Sequence, residues 1–228
     1  QLEIFGGGTL KYLLLLMLSS CTYVMMAPRD YVEPKAGLER KIQSVAMLST
    51  KTDEHIGTCV PFKLVKIKDE KYQYRVFFIT AKHVIHDEGE PSKVRFFDMY
   101  DPQNPKLILS DVIFIKSHPR YDVAIISAKT NSRVYLFSLQ ERRPNFGDEV
   151  LSCGFAFGRP VMVMEGLVVR PEVGGTWASS ATAVYGMSGG PLINVETHEV
   201  VGIISQLWSI QSGIQQIIVP QCHRFVPS

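Results

Sequence analysis

At 228 residues, with 46% hydrophobic side chains, the chain can bury a full core in one large or two small domains and is too apolar for intrinsic disorder. Its 24 basic and 22 acidic side chains nearly cancel, and no basic run exceeds Arg142-Arg143, which removes the electrostatic case for binding nucleic acid. Cys21, Cys59, Cys153 and Cys222 show neither C-x-x-C spacing nor histidine partners at zinc-finger spacing. Cys59 and Cys153, set in apolar runs, are expected as buried free thiols, with a disulfide among Cys59, Cys153 and Cys222, leaving one over, as the alternative.

Lys11 precedes an apolar run from Tyr12 to Leu18, followed by Ser19, Ser20 and Cys21. A basic residue, a short apolar core and small residues before a cut make an export signal, and the run is too short to span a bilayer. Leu18-Ser19-Ser20-Cys21 resembles the bacterial lipobox, in which the cysteine becomes the lipidated first residue of the mature chain. A plain secretory peptide and a buried apolar strand are the alternatives. Residues 1–21 are thus expected to be a signal peptide, with Cys21 as a membrane tether in the bacterial periplasm or cell envelope. Residues 22–43, with Pro28, Pro34 and mixed charge, read as a tether.

From Ser44 onward, β-rich runs alternate with turn residues. Ser44–Ser49, Gly57–Ile67, Tyr72–Thr80, Val94–Phe97, Leu107–Ile115 and Val123–Ser127 are six expected strands, giving a unit over residues 44–128. A polar interval, 129–148, reads as a linker. A second series occupies 149–228: Glu149–Phe155, Val161–Val169, Thr176–Val184, Leu192–Asn194, Val200–Ser205 and Ile214–Val219. Long helical periodicity is nearly absent. The expected fold is all-β, two six-stranded antiparallel barrels packed side by side with a cleft between them.

Three local patterns carry chemistry. His83 ends a strongly apolar strand, Phe77-Phe78-Ile79-Thr80-Ala81-Lys82-His83, where an imidazole is partly desolvated yet reachable. His86, three residues on, raises a metal alternative, but no further cluster completes such a site. His55, His118, His198 and His223 sit in polar or turn contexts and read as surface residues. Asp122 leads the apolar run Val123-Ala124-Ile125-Ile126, and a charge there is costly to bury unless it is hydrogen-bonded. Gly186-Met187-Ser188-Gly189-Gly190-Pro191 places a hydroxyl among glycines, which suits backbone that turns sharply and exposes N–H groups.

In the order His83, Asp122, Ser188, these patterns resemble the trypsin/chymotrypsin-fold serine proteases, and most of all the compact bacterial HtrA (Deg)-type members that lack a PDZ domain. Thr80-Ala81-Lys82-His83-Val84 is similar to that family's T-A-x-H motif. Tyr121-Asp122-Val123-Ala124 is similar to its aspartate–aliphatic–alanine motif, and residues 186–191 are similar to its G-x-S-G-G-P. The similarity covers roughly residues 44–220.

The resemblance implies a serine endopeptidase with Ser188 as nucleophile, His83 as base and Asp122 as its orienting acid, needing no cofactor or metal. It implies an oxyanion hole from the backbone N–H groups of Gly186 and Ser188. It also puts the base of the specificity pocket at Thr182 and Ala183, and its wall at Ser205, Gln206 and Leu207. With no acidic group at that base, cleavage is expected after small or medium apolar residues of a peptide or unfolded protein. Met187 stands where zymogen-activated relatives carry an aspartate, so activation by a newly cut N-terminus is not expected. The alternative is an inactive protease-fold module that only holds peptides; the oligomeric state is left open.

Overall fold

Short runs of β-branched and aromatic residues, broken by turn residues, become thirteen strands in the computed structural model, which describes residues 36–98, 100–171, 176–212 and 215–223. The first seven are β1 (Ala46–Ser49), β2 (His55–Lys66), β3 (Tyr74–Thr80), β4 (Lys93–Asp98), β5 (Asp101–Ser110), β6 (Ile113–Ser117) and β7 (Ala124–Thr130). They form one antiparallel sheet in the order β5-β4-β1-β2-β3-β7-β6. The last six are β8 (Glu149–Gly154), β9 (Met162–Pro171), β10 (Thr176–Ser179), β11 (Pro191–Asn194), β12 (Val200–Ser212) and β13 (Gln215–His223). They close into an antiparallel barrel in the order β10-β13-β12-β11-β8-β9. The protein is all-β, with the chymotrypsin-like pair of β-sheet units that the sequence patterns predict.

The first unit has seven strands where six are expected, because the run Leu107–Ile115 bends at Asp111, whose φ is 57°. Before the bend β5 pairs with β4, and after it β6 pairs with β7. One bent segment therefore joins the two outer edges of the sheet and draws it round. β2 acts in the same direction. Its first half pairs with β1 and its second half with β3, across an irregularity between Pro61 and Lys63. In the second unit the expected strand Thr176–Val184 ends at Ser179, since side-chain oxygens take over the backbone N–H groups there. Ser179 Oγ accepts from the Ala181 N–H at 3.0 Å, and Ser180 Oγ accepts from that of Leu167 at 2.8 Å.

Three clusters of buried side chains hold the fold. One lies within the first sheet, around Phe78, Phe96 and Ile126. One fills the barrel, around Val168, Met187 and Ile204. The third joins the two, setting Val60, Ile79 and Val123 against Leu151, Phe155 and Ile203. This middle cluster also takes Leu38 and Ile42 from a short helix, α1 (Ala36–Ile42), so the end of the stretch read as a tether is packed into the core. The polar interval is likewise fastened to both units. Phe137 is buried and its N–H donates to the Pro61 carbonyl at 2.9 Å, while Ser138 and Gln140 bond to Val200. Cys59 and Cys153 are buried free thiols, as expected. The signal-like segment, Cys21 and residues 22–35 lie outside the described residues; among those described, no helix is long and apolar enough to cross a membrane.

Candidate active site

The apolar strand β3 ends in Thr80, which is buried and donates its hydroxyl to the Thr58 carbonyl at 2.7 Å. The chain then turns into a five-residue helix, α2 (Lys82–His86), whose second residue is His83. Asp122 enters from a tight turn ahead of β7. There His118 Nδ1 accepts from the N–H groups of Arg120 and Tyr121, and the Tyr121 ring stacks on that imidazole at 4.6 Å. β3 and β7 are neighbours, Thr80 opposite Ala124, so the residues just beyond these ends meet.

Asp122 receives three hydrogen bonds. Its Oδ1 accepts from the His83 backbone N–H at 2.8 Å, and its Oδ2 from His83 Nδ1 at 2.6 Å and from the Ser205 hydroxyl at 2.5 Å. The His83 and Asp122 side chains are 25% and 16% exposed. An ionised carboxylate only accepts, so Nδ1 carries a proton and, in the neutral imidazole, Nε2 carries the lone pair. Burial alone would push the Asp122 carboxyl up, but its bonds to His83 and Ser205 prevail and hold it at about 2. Burial alone would likewise lower His83. The bond to Asp122 and its charge, aided by Glu88 and Asp87, outweigh this and leave the imidazole above its ordinary value.

The glycine loop is laced to both units. Thr58 N–H donates to the Ser188 carbonyl at 2.8 Å, and the Thr58 hydroxyl donates to the Gly186 carbonyl at 2.9 Å while accepting from Phe155 N–H at 3.1 Å. Gly189 packs against Thr58 and Thr80 so closely that no side chain fits, and its φ is +84°. Gly57 lies between the two sides. A Cβ there would stand 2.7 Å from Val84, the residue after His83, and 3.1 Å from the Ser188 carbonyl oxygen. These contacts bring the Ser188 loop to the start of α2. On the other flank, β12 bonds to Gly189 and Gly190 through Ile204, at 2.7 and 2.9 Å, next to the Ser205 that holds Asp122.

The loop's N–H groups divide in a chemically informative way. Those of Met187, Gly189 and Gly190 donate to Val184, Ile204 and Met187. Those of Gly186 and Ser188 donate to nothing among the described residues. The peptide between Tyr185 and Gly186 is trans, with its carbonyl accepting from Phe157 N–H at 2.9 Å, so the Gly186 N–H faces the opposite way. Met187 is fully buried in the barrel core, against Gly154.

Of the other expected residues, Ala183 is buried and Thr182 is exposed, its carbonyl accepting from the Ser152 hydroxyl at 2.6 Å. β11 pairs with β12 only as far as Ile203, whereas β13 continues past Gln206 and Leu207. Residues 205–207 therefore keep one backbone edge free among the described residues. An irregularity between Ile204 and Gln206 turns Ser205 toward Asp122, so its hydroxyl serves the carboxylate rather than lining a pocket wall.

Two residues of the site escape the sequence reading. Thr58 looks like an ordinary strand residue, and nothing local marks its bonds to residues 186 and 188. His55, read as a surface residue, is half-buried with Nε2 enclosed, and its ring lies under Gly186. Burial holds its imidazole below the ordinary value. His86 is set edge-on to Phe114 at 5.7 Å, and among the described residues no three metal-ligating side chains converge.

No curated protein matches the chain. Among solved structures it is similar to a serine endoprotease from Yersinia pestis, with 20% identity and a TM-score of 0.59, over 82% of this chain and 60% of that one. It is also similar to the MamO protease domain from Magnetospirillum magneticum, with 16% identity and a TM-score of 0.59, over 81% of this chain and 93% of that one. The chain thus spans about three-fifths of the Yersinia protein's length, and at these identities the likeness speaks for the fold. A family model, the trypsin-like peptidase domain, matches residues 65–203, a span holding His83, Asp122 and Ser188. By that match over more than half its length, the chain belongs to the trypsin-like peptidase family.

Proposed function

We propose that the protein is a serine endopeptidase working through Ser188, His83 and Asp122. The observation that carries this is the caged Asp122, three hydrogen bonds on one carboxylate that fix the tautomer and position of His83. His83 Nε2, left with its lone pair, takes the proton as Ser188 Oγ attacks a peptide carbonyl. Asp122 stabilises the imidazolium that forms without taking the proton itself. The N–H groups of Gly186 and Ser188 hold the oxyanion, each such donor typically worth ~3 kcal/mol. His83 then gives the proton to the leaving amine, and the C–N bond breaks to leave an ester on Ser188. Water, deprotonated by the same imidazole, hydrolyses that ester.

The free edge of residues 205–207 supports pairing with the acyl half of an extended substrate, which fits peptides and unfolded proteins. The absence of an acidic side chain at Thr182 and Ala183 supports cleavage after Val, Ala, Leu or Thr rather than after Lys or Arg. Export with lipidation at Cys21 is proposed from the sequence pattern alone, and the mass of the mature N-terminus tests it. The test of function is digestion of casein by the wild type and by Ser188→Ala, with product ends mapped by mass. Digestion by the wild type alone, after small apolar residues, upholds the proposal; equal digestion by both proteins overturns it.

A further inference from the structure

The mouth of the site carries a feature the triad does not use. Phe157 and Tyr185 are 65% and 58% exposed, and their rings stack at 6.4 Å with 29° between planes. Large aromatic faces in water at a site's mouth are available to a ligand. The Tyr185 hydroxyl donates to Glu88 Oε2 at 2.9 Å, so the nucleophile loop reaches across to the segment following α2. Glu88 and its neighbour Asp87 are exposed, and among the described residues neither pairs with a Lys or Arg. Their charge nonetheless acts on His83.

The side of the cleft follows from the imidazole. Its Nδ1 face is taken by Asp122, which is bonded to Ser205 of β12, where the acyl half of a substrate would run. The leaving amine must approach the opposite nitrogen. Beside Gly186 stand Tyr185, its chain neighbour, and Phe157, whose N a Cβ on Gly186 would approach to 3.0 Å, and Tyr185 is bonded to Glu88.

We propose that Phe157, Tyr185 and Glu88 form a specificity site that seats a basic side chain, Lys or Arg, from the residues immediately after the scissile bond. It rests on the protease reading above. A cation there meets two aromatic faces and a carboxylate that no Lys or Arg neutralises among the described residues, while an acidic side chain meets like charge.

The test uses peptides identical before the cut, ending in Val, with Arg, Ala or Glu in both positions after it. Binding to Ser188→Ala is read by fluorescence anisotropy, and kcat/KM is read with the wild type. The Arg peptide is expected to exceed the Glu peptide by about tenfold in both, the size of an exposed cation–π contact plus a partly screened charge pair. Glu88→Lys should remove or invert that ratio, and Phe157→Ala should weaken the Arg peptide while leaving the Glu peptide unchanged. A ratio near one overturns the site, as does a ratio untouched by Glu88→Lys in a protein of unchanged melting temperature. Cleavage without Arg preference overturns this site and leaves the protease intact. Arg preference in binding without any cleavage upholds the site and overturns the protease.

Discussion

Replacing Gly186 by Ala tests the oxyanion geometry more sharply than removing a side chain could. Gly186 has φ +92°, a conformation that costs an L-residue roughly 1–2 kcal/mol. A Cβ there would stand 2.5 Å from His55 Cε1, 2.6 Å from the Phe155 carbonyl oxygen and 3.0 Å from Phe157 N. The ring of His55 can shift, but the other two contacts are backbone, so Gly186 itself must move, which breaks the Phe157 N–H bond to the Tyr185 carbonyl and rotates the 185–186 peptide. Rotation swings the Gly186 N–H out of the cleft. Losing one such donor costs about 3–4 kcal/mol, so kcat should fall by roughly a hundredfold to a thousandfold. KM should change little, because the donor is aimed at charge that exists only in the transition state. Steady-state kinetics on a peptide substrate, with a thermal melt to establish folding, reads this directly. A folded Gly186→Ala protein with kcat within about threefold of wild type would mean that the Gly186 N–H does not hold the oxyanion.

Ser205→Ala removes one of the three donors on Asp122. A hydrogen bond to a charged group is worth about 1.5–3 kcal/mol, so kcat should drop about tenfold while Asp122 becomes easier to protonate. kcat/KM of the wild type should fall as pH drops through the raised value of His83, with the midpoint above the ordinary ~6.5, and Asp122→Asn should move that midpoint down. The sign for folding differs between the pair. The stabilisation from His83 is present below its unfolded value and lost as pH rises through its raised folded value; that from Asp122 is present above 3.8 and lost as pH falls toward about 2. Urea melts across pH should therefore show both slopes. Met187→Ala empties a fully buried site and should cost about 2–5 kcal/mol by denaturant titration, and Met187→Asp should cost more, since it buries a charge with no partner.

The chemistry-bearing positions are legible in the chain because each announces itself locally. His83 closes an apolar strand, Asp122 opens one, and Ser188 sits among glycines whose conformations the turn demands. Strand positions follow the same way, from β-branched runs between turn residues. What is hidden depends on contacts between distant segments. Nothing near Thr58 signals that its hydroxyl will hold Gly186, 128 positions on, and Ser205 reads as one more strand residue until an irregularity in β12 turns it to Asp122. His55 looks exposed among Lys51, Asp53 and Glu54, yet the loop that arrives from the other unit covers its ring. The bend at Asp111 is equally silent, since the apolar run continues through it. α1 is short and charged, and among the described residues Leu38 and Ile42 are the side chains it sends into the core.

Activation of Ser188 by His83 is the claim on which the rest stands, and fluorophosphonate labelling mapped by peptide mass tests it most directly. The label should fall on Ser188 in the wild type, vanish in His83→Ala and weaken in Asp122→Asn. A folded wild-type protein that takes no label at Ser188, or takes it equally well without the imidazole, would contradict the account.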